Sequence, residues 1–333
     1  MGSPIEYCCP KCKSPFGRIS ADSYFCKNCS IAYPVIAGIP DFRLLGPPYG
    51  SREEEEIKVK NLLQNYRDMN YMELAGFSIG KYSESPPLLK RKYIKYRLTM
   101  AERGRKRIAS IESMFHLLGF NLDSTKRALD LGCGTGSSIA GMISVFEQIV
   151  GLDIALDELI LAKKYFEENS IPNVQLVCGN SEDLPFCDGS FDFVNANDVI
   201  EHLSDQMRGL QETKKVLGLG GVLHFNSANR FQIFTPEPHV QLRGVGFLPR
   251  FLMNGYVRLR KRSASYEKIR LLSYFELSRM LEKVYPKFYM EPVALSPVSV
   301  KGKLYASLVN MTNGGLHRLL QKEHVVLAQK ISE

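Results

Sequence analysis

Four cysteines near the start of the chain are spaced as ligands of a metal ion. Cys9 and Cys12 form one C-x-x-C pair, and Cys26 and Cys29 form a second pair after thirteen intervening residues. Each two-residue turn lets both thiolates face one point, and four sulfurs complete a tetrahedral shell around zinc. Because a closed shell leaves no open position for chemistry, we expect a structural zinc ion that supplies the folding energy of this short segment.

The other four cysteines lack this spacing. Cys8 adjoins the first pair and is an alternative ligand to Cys9, whereas Cys133, Cys178 and Cys187 are scattered. Crowding of cysteines at one end of a cytoplasmic chain favours metal binding over disulfides. We therefore expect Cys133 to be a small loop residue, and Cys178 and Cys187 to be inert.

A glycine-rich turn follows a short apolar strand pattern in the middle of the chain. Gly132, Gly134 and Gly136 alternate with other residues and are followed by a helix pattern. Glycines at a strand-to-helix turn allow a ligand to approach the backbone closely. This pattern alone also fits a dinucleotide-binding fold. However, Asp130 precedes the first glycine by two residues, where a carboxylate suits a cationic ammonium group better than a pyrophosphate.

A second acidic residue ends the next strand pattern. Asp153 lies 17 residues after Gly136, at the end of the apolar run 148–154. An acid at this strand tip accepts hydrogen bonds from both hydroxyls of a ribose. The pattern predicts that a nucleoside ligand spans the two strand ends.

Five segments in this order resemble a class I S-adenosylmethionine-dependent methyltransferase. They are LDLGCGTG, GLDI, GNSEDLPF, FDFVNANDVIEHL and VLGLGGVLHFNS, all within about residues 126–228. The resemblance implies an α/β fold, a Rossmann-like, doubly wound sheet of seven strands with helices on both faces. It also implies S-adenosylmethionine as the cofactor.

The resemblance further implies which residues contact that cofactor. Asp130 and the glycines would line its methionine part, Asp153 would hold the ribose, and Ile154 would face the adenine. Asn180 occupies a position where the family usually has aspartate, so we expect weaker selectivity there. The full set of expected cofactor-binding residues is Asp130, Gly132, Gly134, Gly136, Asp153, Ile154, Asn180, Ser181, Glu182 and Asn197.

The segment after the second cysteine pair reads as a strand, a glycine turn and a second strand. Its sequence is YPVIAGIPDF, from Tyr33 to Phe42. Residues 8–43 resemble the zinc-ribbon modules that accompany some methyltransferases. The resemblance implies a small N-terminal zinc ribbon ahead of the larger domain.

Two histidines are candidates for a catalytic base. Methyl transfer from a sulfonium is an in-line displacement, and it needs a base only if the acceptor must lose a proton. His202 follows the fourth strand pattern, at the carboxyl edge where such sheets hold ligands. His239 lies in the insertion after the fifth strand pattern, whereas His224 lies within that strand and is expected to pack in the sheet.

The insertion at 229–270 is long for a connection between a strand and a helix, and we expect it to form a lid. It is rich in aromatic and aliphatic residues and ends in the basic run 258–262. Such a composition would cover a hydrophobic acceptor and contact a membrane surface. The same composition would also bind RNA by stacking and phosphate contacts. Its apolar residues include Phe231, Phe234, Phe247, Phe251, Leu252, Met253 and Tyr256.

The rest of the chain organises around this central unit. We predict a zinc-ribbon module at 1–45, a helical linker at 46–118, the methyltransferase domain at 119–311 and a C-terminal tail at 312–333. A helix over Tyr274–Val284 and strands near 288–295 and 303–311 would complete the sheet.

Composition and charge exclude several classes of protein. Of the 333 residues, 44% are hydrophobic and 23% are charged, which excludes a mostly disordered, collagenous or coiled-coil chain. No apolar run is long enough for a transmembrane helix, and we expect a cytoplasmic protein. Residues 111–240 carry a net charge of −10, between basic flanks of +6 over 51–110 and +9 over 241–303. Basic flanks attract phosphates, nucleic acid or an anionic membrane, or simply form a solvated surface.

Three functions fit these observations. The first is methylation of a small-molecule or lipid-like acceptor. The second is RNA methylation with the zinc ribbon as a recognition module, although the fourth strand lacks the Asn/Asp-Pro-Pro-aromatic motif of many nucleic-acid N-methyltransferases. The third is a non-enzymatic partner subunit that binds the cofactor and interacts through its zinc ribbon.

Overall fold

The structure of the protein is a computed structural model. It describes residues 5–332 except for 17, 21, 47–50, 84–86, 122–126, 172, 234, 262–264 and 292–314. The strand expected at 303–311 and the lid residue Phe234 lie outside these described residues. Within the part of the chain that is described, no helix is long and apolar enough to cross a membrane.

A four-stranded antiparallel sheet forms the N-terminal module. Its strands, in spatial order, are β1 (Arg18–Ser20), β2 (Ser23–Cys26), β3 (Ile31–Ile36) and β4 (Ile39–Pro40). The turn between β3 and β4 places Ala37 and Gly38 at φ values of 53° and 81°. Two left-handed residues give a turn whose twist matches that of the flanking strands, which is why a glycine follows the apolar run.

Four helices connect this module to the main sheet. They are α1 (Arg52–Asn65), α2 (Tyr71–Tyr82), α3 (Pro87–Leu98) and α4 (Met100–Glu112). Capping boxes start the first two: Ser51 with Glu54, and Asn70 with Glu73. The helix α4 packs against the main domain through Met100, Ile108 and Ile111. By contrast, α3 contains no buried residue.

The main domain is built on a seven-stranded sheet, as the sequence predicts. The strands are β5 (Arg127–Leu131), β6 (Gln148–Asp153), β7 (Val174–Cys178), β8 (Phe191–Asn197), β9 (Leu217–Ala228), β10 (Lys287–Glu291) and β11 (Glu323–Gln329). Their spatial order is β10-β11-β9-β8-β5-β6-β7. Strands β5 to β9 pair in parallel, and β11 pairs antiparallel with both of its neighbours. The chain reverses its strand order beside β5, which is where open α/β sheets bind ligands.

Helices cover both faces of this sheet. They are α5 (Ile139–Met142), α6 (Leu156–Glu168), α7 (Gln206–Val216), α8 (Arg250–Arg260), α9 (Tyr274–Val284) and α10 (Gly315–Leu320). Alternate strand residues enter opposite cores: Leu129 and Leu131 pack with α7, α9 and the N-terminal module, whereas Ala128 packs with α4 and α6. Phe186, Phe191 and Phe193 are fully buried in these cores.

The prediction of a C-terminal tail at 312–333 was wrong. The strand β11 lies between β9 and β10, and its seven residues pair with Val222 to Ala228. Its apolar side chains Val326, Leu327 and Ala328 are completely buried. The last residues therefore complete the sheet, because the long edge of β9 needs a hydrogen-bonding partner.

The prediction that Cys187 is inert was also wrong. Cys187 forms a disulfide with Cys8, across 179 residues of sequence. This bond joins the N-terminal module to the loop before β8, and Lys13 strengthens the same junction by ion-pairing with Glu212 on α7. Cys133 and Cys178 are free and buried, as expected of residues that only fill space.

Close approach of α4 to α5 depends on two glycines. A Cβ atom at Gly104 would lie 1.7 Å from the carbonyl oxygen of Ser137, and one at Gly141 would lie 2.5 Å from the carbonyl oxygen of Gly104. We predict that Gly104→Ala lowers the free energy of unfolding by about 1–3 kcal/mol, since the helices must move apart. Chemical denaturation would measure this.

The matched control is Gly76→Ala, in α2, where a Cβ would meet no atom within 4 Å. That substitution should instead raise stability by roughly 0.5–1 kcal/mol, because alanine loses less backbone entropy in a helix. Equal effects of the two substitutions would contradict the packing argument.

Candidate active site

The carboxyl ends of the parallel strands bring the predicted cofactor residues to one edge of the sheet. Asp130 is the penultimate residue of β5, Asp153 ends β6 and Asn197 ends β8. The strands β6, β5 and β8 are direct neighbours. Residues far apart in sequence therefore border a single site.

The glycine loop follows β5 and has the backbone geometry that the sequence predicts. Gly132, Gly134 and Gly136 have φ values of 63°, 51° and 88°, a region that side chains with a Cβ rarely enter. A Cβ at Gly132 would clash with Val199, and one at Gly136 would clash with Phe166. Beside Gly134 there is no atom within 4 Å of the Cβ position, so this glycine borders open space. The loop therefore offers exposed backbone to a ligand at its centre.

A buried hydrogen-bonded chain holds Asp130. Its Oδ1 accepts from the side-chain amide of Asn195 at 2.6 Å, and Asn195 Oδ1 lies 2.8 Å from Nδ1 of His224. Burial raises the pKa of Asp130 to about 7, against the lowering effect of the Asn195 amide. Burial also lowers the pKa of His224 to about 3, so this histidine is a neutral member of the sheet, as predicted. Sequence analysis missed Asn195, which is 0% exposed.

Asp153 ties the glycine loop to the second strand. Its Oδ2 accepts from the backbone N–H of Gly134 at 2.8 Å, and its Oδ1 accepts from that of Ala155 at 2.9 Å. Burial raises its pKa to about 6, although both backbone bonds lower it. Each carboxylate oxygen has two lone pairs, so these bonds leave capacity to accept from ribose hydroxyls.

The remaining predicted residues lie on the loops that border this edge. Ser181 is buried, Asn180 accepts from the backbone N–H of Glu182, and Glu182 accepts from that of Ser204 at 2.7 Å. Asn197 donates to Ser138 at 3.2 Å. The amide oxygen of Asn197 is buried and has no hydrogen-bond partner. A buried acceptor of this kind costs free energy unless a ligand donates to it.

Two arginines from outside the main domain reach the same edge, and sequence analysis did not identify them. Arg43 donates to the carbonyl oxygen of Ile154 at 2.9 Å while pairing with Asp41 and Glu55. Arg43 and Ile154 are 111 residues apart in the sequence, so no local sequence pattern predicts their contact.

The second arginine, Arg97, extends from α3 into the glycine loop. It donates through Nη1 to the hydroxyl of Thr135, and its Nη2 contacts both carboxylate oxygens of Glu158, at 2.7 and 2.8 Å. Contacts through both terminal nitrogens fix the guanidinium in orientation as well as position. The linker helix is thereby held against the cofactor edge.

The two candidate catalytic histidines meet, although 37 positions separate them in the sequence. The ring centroids of His202 and His239 are 5.0 Å apart, at nearly a right angle. His239 Nδ1 lies 2.5 Å from Oε1 of Glu237. Burial, together with the neighbouring His239, lowers the pKa of His202 to about 4. Burial also lowers the pKa of His239, but the Glu237 carboxylate outweighs it and raises that pKa above its ordinary value.

The insertion that carries His239 has its own small core. Val240, Val245, Met253, Val257 and Tyr266 are buried together. The opposite face of α8 is exposed: Phe251 and Leu259 are 83% and 81% exposed. These apolar residues therefore face away from the fold, whereas the prediction had Phe251 facing the acceptor. The rings of Phe231 and Phe247 are tilted at 41° to each other, with their centroids 5.4 Å apart.

The four predicted zinc ligands lie together in the N-terminal module. One sulfur from each of Cys9, Cys12, Cys26 and Cys29 lies within 4.8 Å of the other three. Two pairs come closer still, Cys12 with Cys26 at 3.5 Å and Cys9 with Cys29 at 4.0 Å. These separations suit four thiolates around one ion with sulfur bonds of about 2.3 Å.

Comparison with known proteins identifies the family of the central domain. Residues 129–225 match the family described as "Methyltransferase domain". Demethylmenaquinone methyltransferase of Geobacillus sp. (strain WCH70) is 31% identical over 104 residues, covering 30% of this chain and 44% of that protein. The uncharacterized methyltransferase YcgJ of Bacillus subtilis (strain 168) is 30% identical over 95 residues, covering 28% of this chain and 38% of that protein.

The chain thus spans less than half of the length of these curated relatives. The crystal structure of YcgJ superposes with a TM-score of 0.43 and 20% identity, covering 68% of this chain and 99% of that one. The family match covers the strands that carry Asp130, Asp153 and Asn197. The chain therefore carries a class I S-adenosylmethionine-dependent methyltransferase domain.

Proposed function

We propose that the protein transfers a methyl group from S-adenosylmethionine to a small-molecule or lipid-like acceptor. The observation that carries this proposal is the meeting of His202 and His239 beyond the end of β8, the strand whose Asn197 borders the cofactor edge. A bound cofactor would supply an electrophilic methyl group on a positively charged sulfur. The protein must then position an acceptor in line with it and exclude water.

The residues at the cofactor edge fit that molecule. Buried Asp130 offers a carboxylate to a cationic ammonium or sulfonium group, and Asp153 retains lone pairs for ribose hydroxyls. The unpartnered amide oxygen of Asn197 needs a donor, and open space lies beside Gly134. We assign Ile154, Asn180, Ser181 and Glu182 to the adenine side by the family resemblance.

Two observations support an apolar acceptor. The relatives named above include a protein called demethylmenaquinone methyltransferase, whose name denotes an apolar quinone substrate. The insertion also exposes an apolar face on α8, flanked by Arg258 and Arg260, which suits contact with a lipid surface. RNA methylation, the alternative, would rest on the basic flanks, the composition of the insertion and the cysteine module as a recognition element.

The acceptor class can be tested with labelled cofactor. We predict that the purified chain transfers labelled methyl groups from S-adenosylmethionine into the organic-soluble pool of a fractionated cell extract. The product should resist ribonuclease and protease, and Asp153→Ala should abolish labelling by weakening cofactor binding. Label that enters RNA instead would overturn the proposed acceptor class while leaving methyl transfer intact.

Cofactor affinity should depend on pH through Asp130. Because burial raises its pKa to about 7, the carboxyl is mostly neutral at pH 6 and mostly charged at pH 7.5. A cationic ligand prefers the charged form, so affinity should rise about tenfold over this range. The range stays below the pKa of the cofactor's amino group, ~7.7–8.0. Calorimetric titration would measure the change.

Two variants make this measurement specific. Asp130→Asn should bind the cofactor weakly and without this pH dependence. Asp188→Asn removes an exposed acid from the loop before β8 and should retain the wild-type profile. A pH dependence that survives in Asp130→Asn would show that another group is responsible.

The cysteine cluster should hold one structural zinc ion. We predict one zinc per purified chain by elemental analysis, lost in Cys26→Ser because three thiolates no longer close the shell. Cys8→Ser should keep its zinc, since Cys8 pairs with Cys187 rather than with the metal. Zinc that is absent from the wild type, or retained in Cys26→Ser, would contradict this assignment.

A further inference from the structure

A second group of metal-ligand side chains lies beside the proposed acceptor position. Glu201, His202 and His239 each offer one ligand atom, and these atoms all lie within 4.8 Å of one another. Two come from the short turn Ile200–His202 after β8, and the third comes from the insertion after β9. Two imidazoles and one carboxylate form a known ligand set for divalent transition metals.

The carboxylate of Glu201 lacks a full set of partners. The residue is only 1% exposed, and its Oε2 atom is buried without a hydrogen-bond partner. Leaving a carboxylate oxygen buried and unpaired is costly, and proteins usually satisfy such a group with a donor or a cation. The backbone around Glu201 is well anchored, because its carbonyl oxygen accepts from the N–H of Arg270 at 2.8 Å. The unpaired oxygen is thus held in place by the fold.

His239 has the support that metal-bound histidines usually have. Its Nδ1 lies 2.5 Å from Oε1 of Glu237, while the other oxygen of Glu237 accepts from the backbone N–H of Val240 at 2.8 Å. Glu237 is therefore fixed at both oxygens, and it is 4% exposed. A carboxylate on one ring nitrogen sets the tautomer and directs the other nitrogen toward a metal. This arrangement leaves Nε2 of His239 as the ligand atom.

We propose that Glu201, His202 and His239 bind one divalent transition-metal cation, with Glu237 as the positioning residue for His239. Three protein ligands leave coordination positions open, unlike the closed shell of the four cysteines. The mixed set of two imidazoles and one carboxylate suits iron or zinc through its nitrogens and manganese through its carboxylate, whereas magnesium and calcium prefer oxygen ligands alone.

The catalytic role that we assign to the cation depends on the proposed methyl transfer. The proposal that a cation binds here does not depend on it. At this position it would hold a hydroxyl group of the acceptor and favour loss of the hydroxyl proton to water. The oxygen then forms a bond to the methyl carbon as the carbon–sulfur bond breaks, and the electron pair stays on sulfur. Neither an oxidant nor a reductant takes part in this transfer.

Direct binding of Mn²⁺ tests the site without any turnover. The full chain, carrying one equivalent of zinc for its four cysteines and no excess, is titrated with Mn²⁺ while electron paramagnetic resonance measures the free ion. Mn²⁺ suits nitrogen and oxygen ligands and competes poorly for thiolates, so the cysteine site does not interfere. We expect one Mn²⁺ per wild-type chain, and at least tenfold weaker binding in Glu201→Gln and His239→Ala.

Further variants separate coordination from a general loss of structure. Glu237→Gln should weaken binding by about 10–100-fold, the usual effect of losing a positioning partner. His116→Ala removes an exposed histidine from the turn Phe115–Leu118 and should bind Mn²⁺ as the wild type does. Circular dichroism and cofactor affinity would show whether each variant is folded. If Glu201→Gln does not fold, His239→Ala still tests the site.

The outcomes are distinct. Equal Mn²⁺ affinity in the wild type and in folded His239→Ala would overturn the proposal. The proposal would also be overturned if the wild type bound no Mn²⁺ while His239→Ala lost methyl transfer. In that case the histidine pair would act in acid–base catalysis instead. If Mn²⁺ binds as expected but label enters RNA, the metal site stands and only the proposed acceptor class fails.

Discussion

Burial of two carboxylates at the end of neighbouring strands is the constraint on which the site depends. Asp130 is held by the amide of Asn195, and Asp153 by the backbone of the glycine loop. Because the pKa of each carboxyl is raised in the folded protein, ionisation lowers the free energy of unfolding as the pH rises from about 4. This loss extends to about pH 6 for Asp153 and to about pH 7 for Asp130. Attraction to a bound cationic ligand would compensate this loss of stability.

The segments before the main domain are part of the site's support. Arg43 follows the four-stranded N-terminal sheet and donates to the carbonyl oxygen of Ile154, and Arg97 in α3 donates to Thr135 in the glycine loop. The Cys8–Cys187 disulfide and the pair of Lys13 with Glu212 attach the same module near β8 and α7. Loss of the proposed zinc ion would thus be transmitted to the cofactor edge through these direct contacts.

Features set by local sequence patterns were predictable, whereas features set by pairing between distant segments were not. The five strand-and-loop segments, the helix Tyr274–Val284 and the turn at Gly38 were predictable, because hydrophobic period and glycine placement act over a few residues. The strand Glu323–Gln329 was missed because its place depends on β9, about 100 residues earlier. Arg43, Arg97 and the partner of Cys8 were missed for the same reason. His202 and His239 were named separately, but only the fold brings their rings together.

Under the proposed function, the two ends of the site have complementary electrostatics. Asp130 and Asp153 make the cofactor end anionic, whereas the acceptor end carries two imidazoles beside the carboxylates of Glu201 and Glu237. Transfer of the methyl group converts a sulfonium into a neutral sulfide. The electrostatic attraction between the buried carboxylates and the ligand therefore weakens when the methyl group is transferred. Because the site has a low dielectric constant, the attraction to the charged sulfonium is much stronger than that to the neutral sulfide. The same burial that destabilises the empty site thus favours binding of the charged cofactor over its neutral-sulfur product.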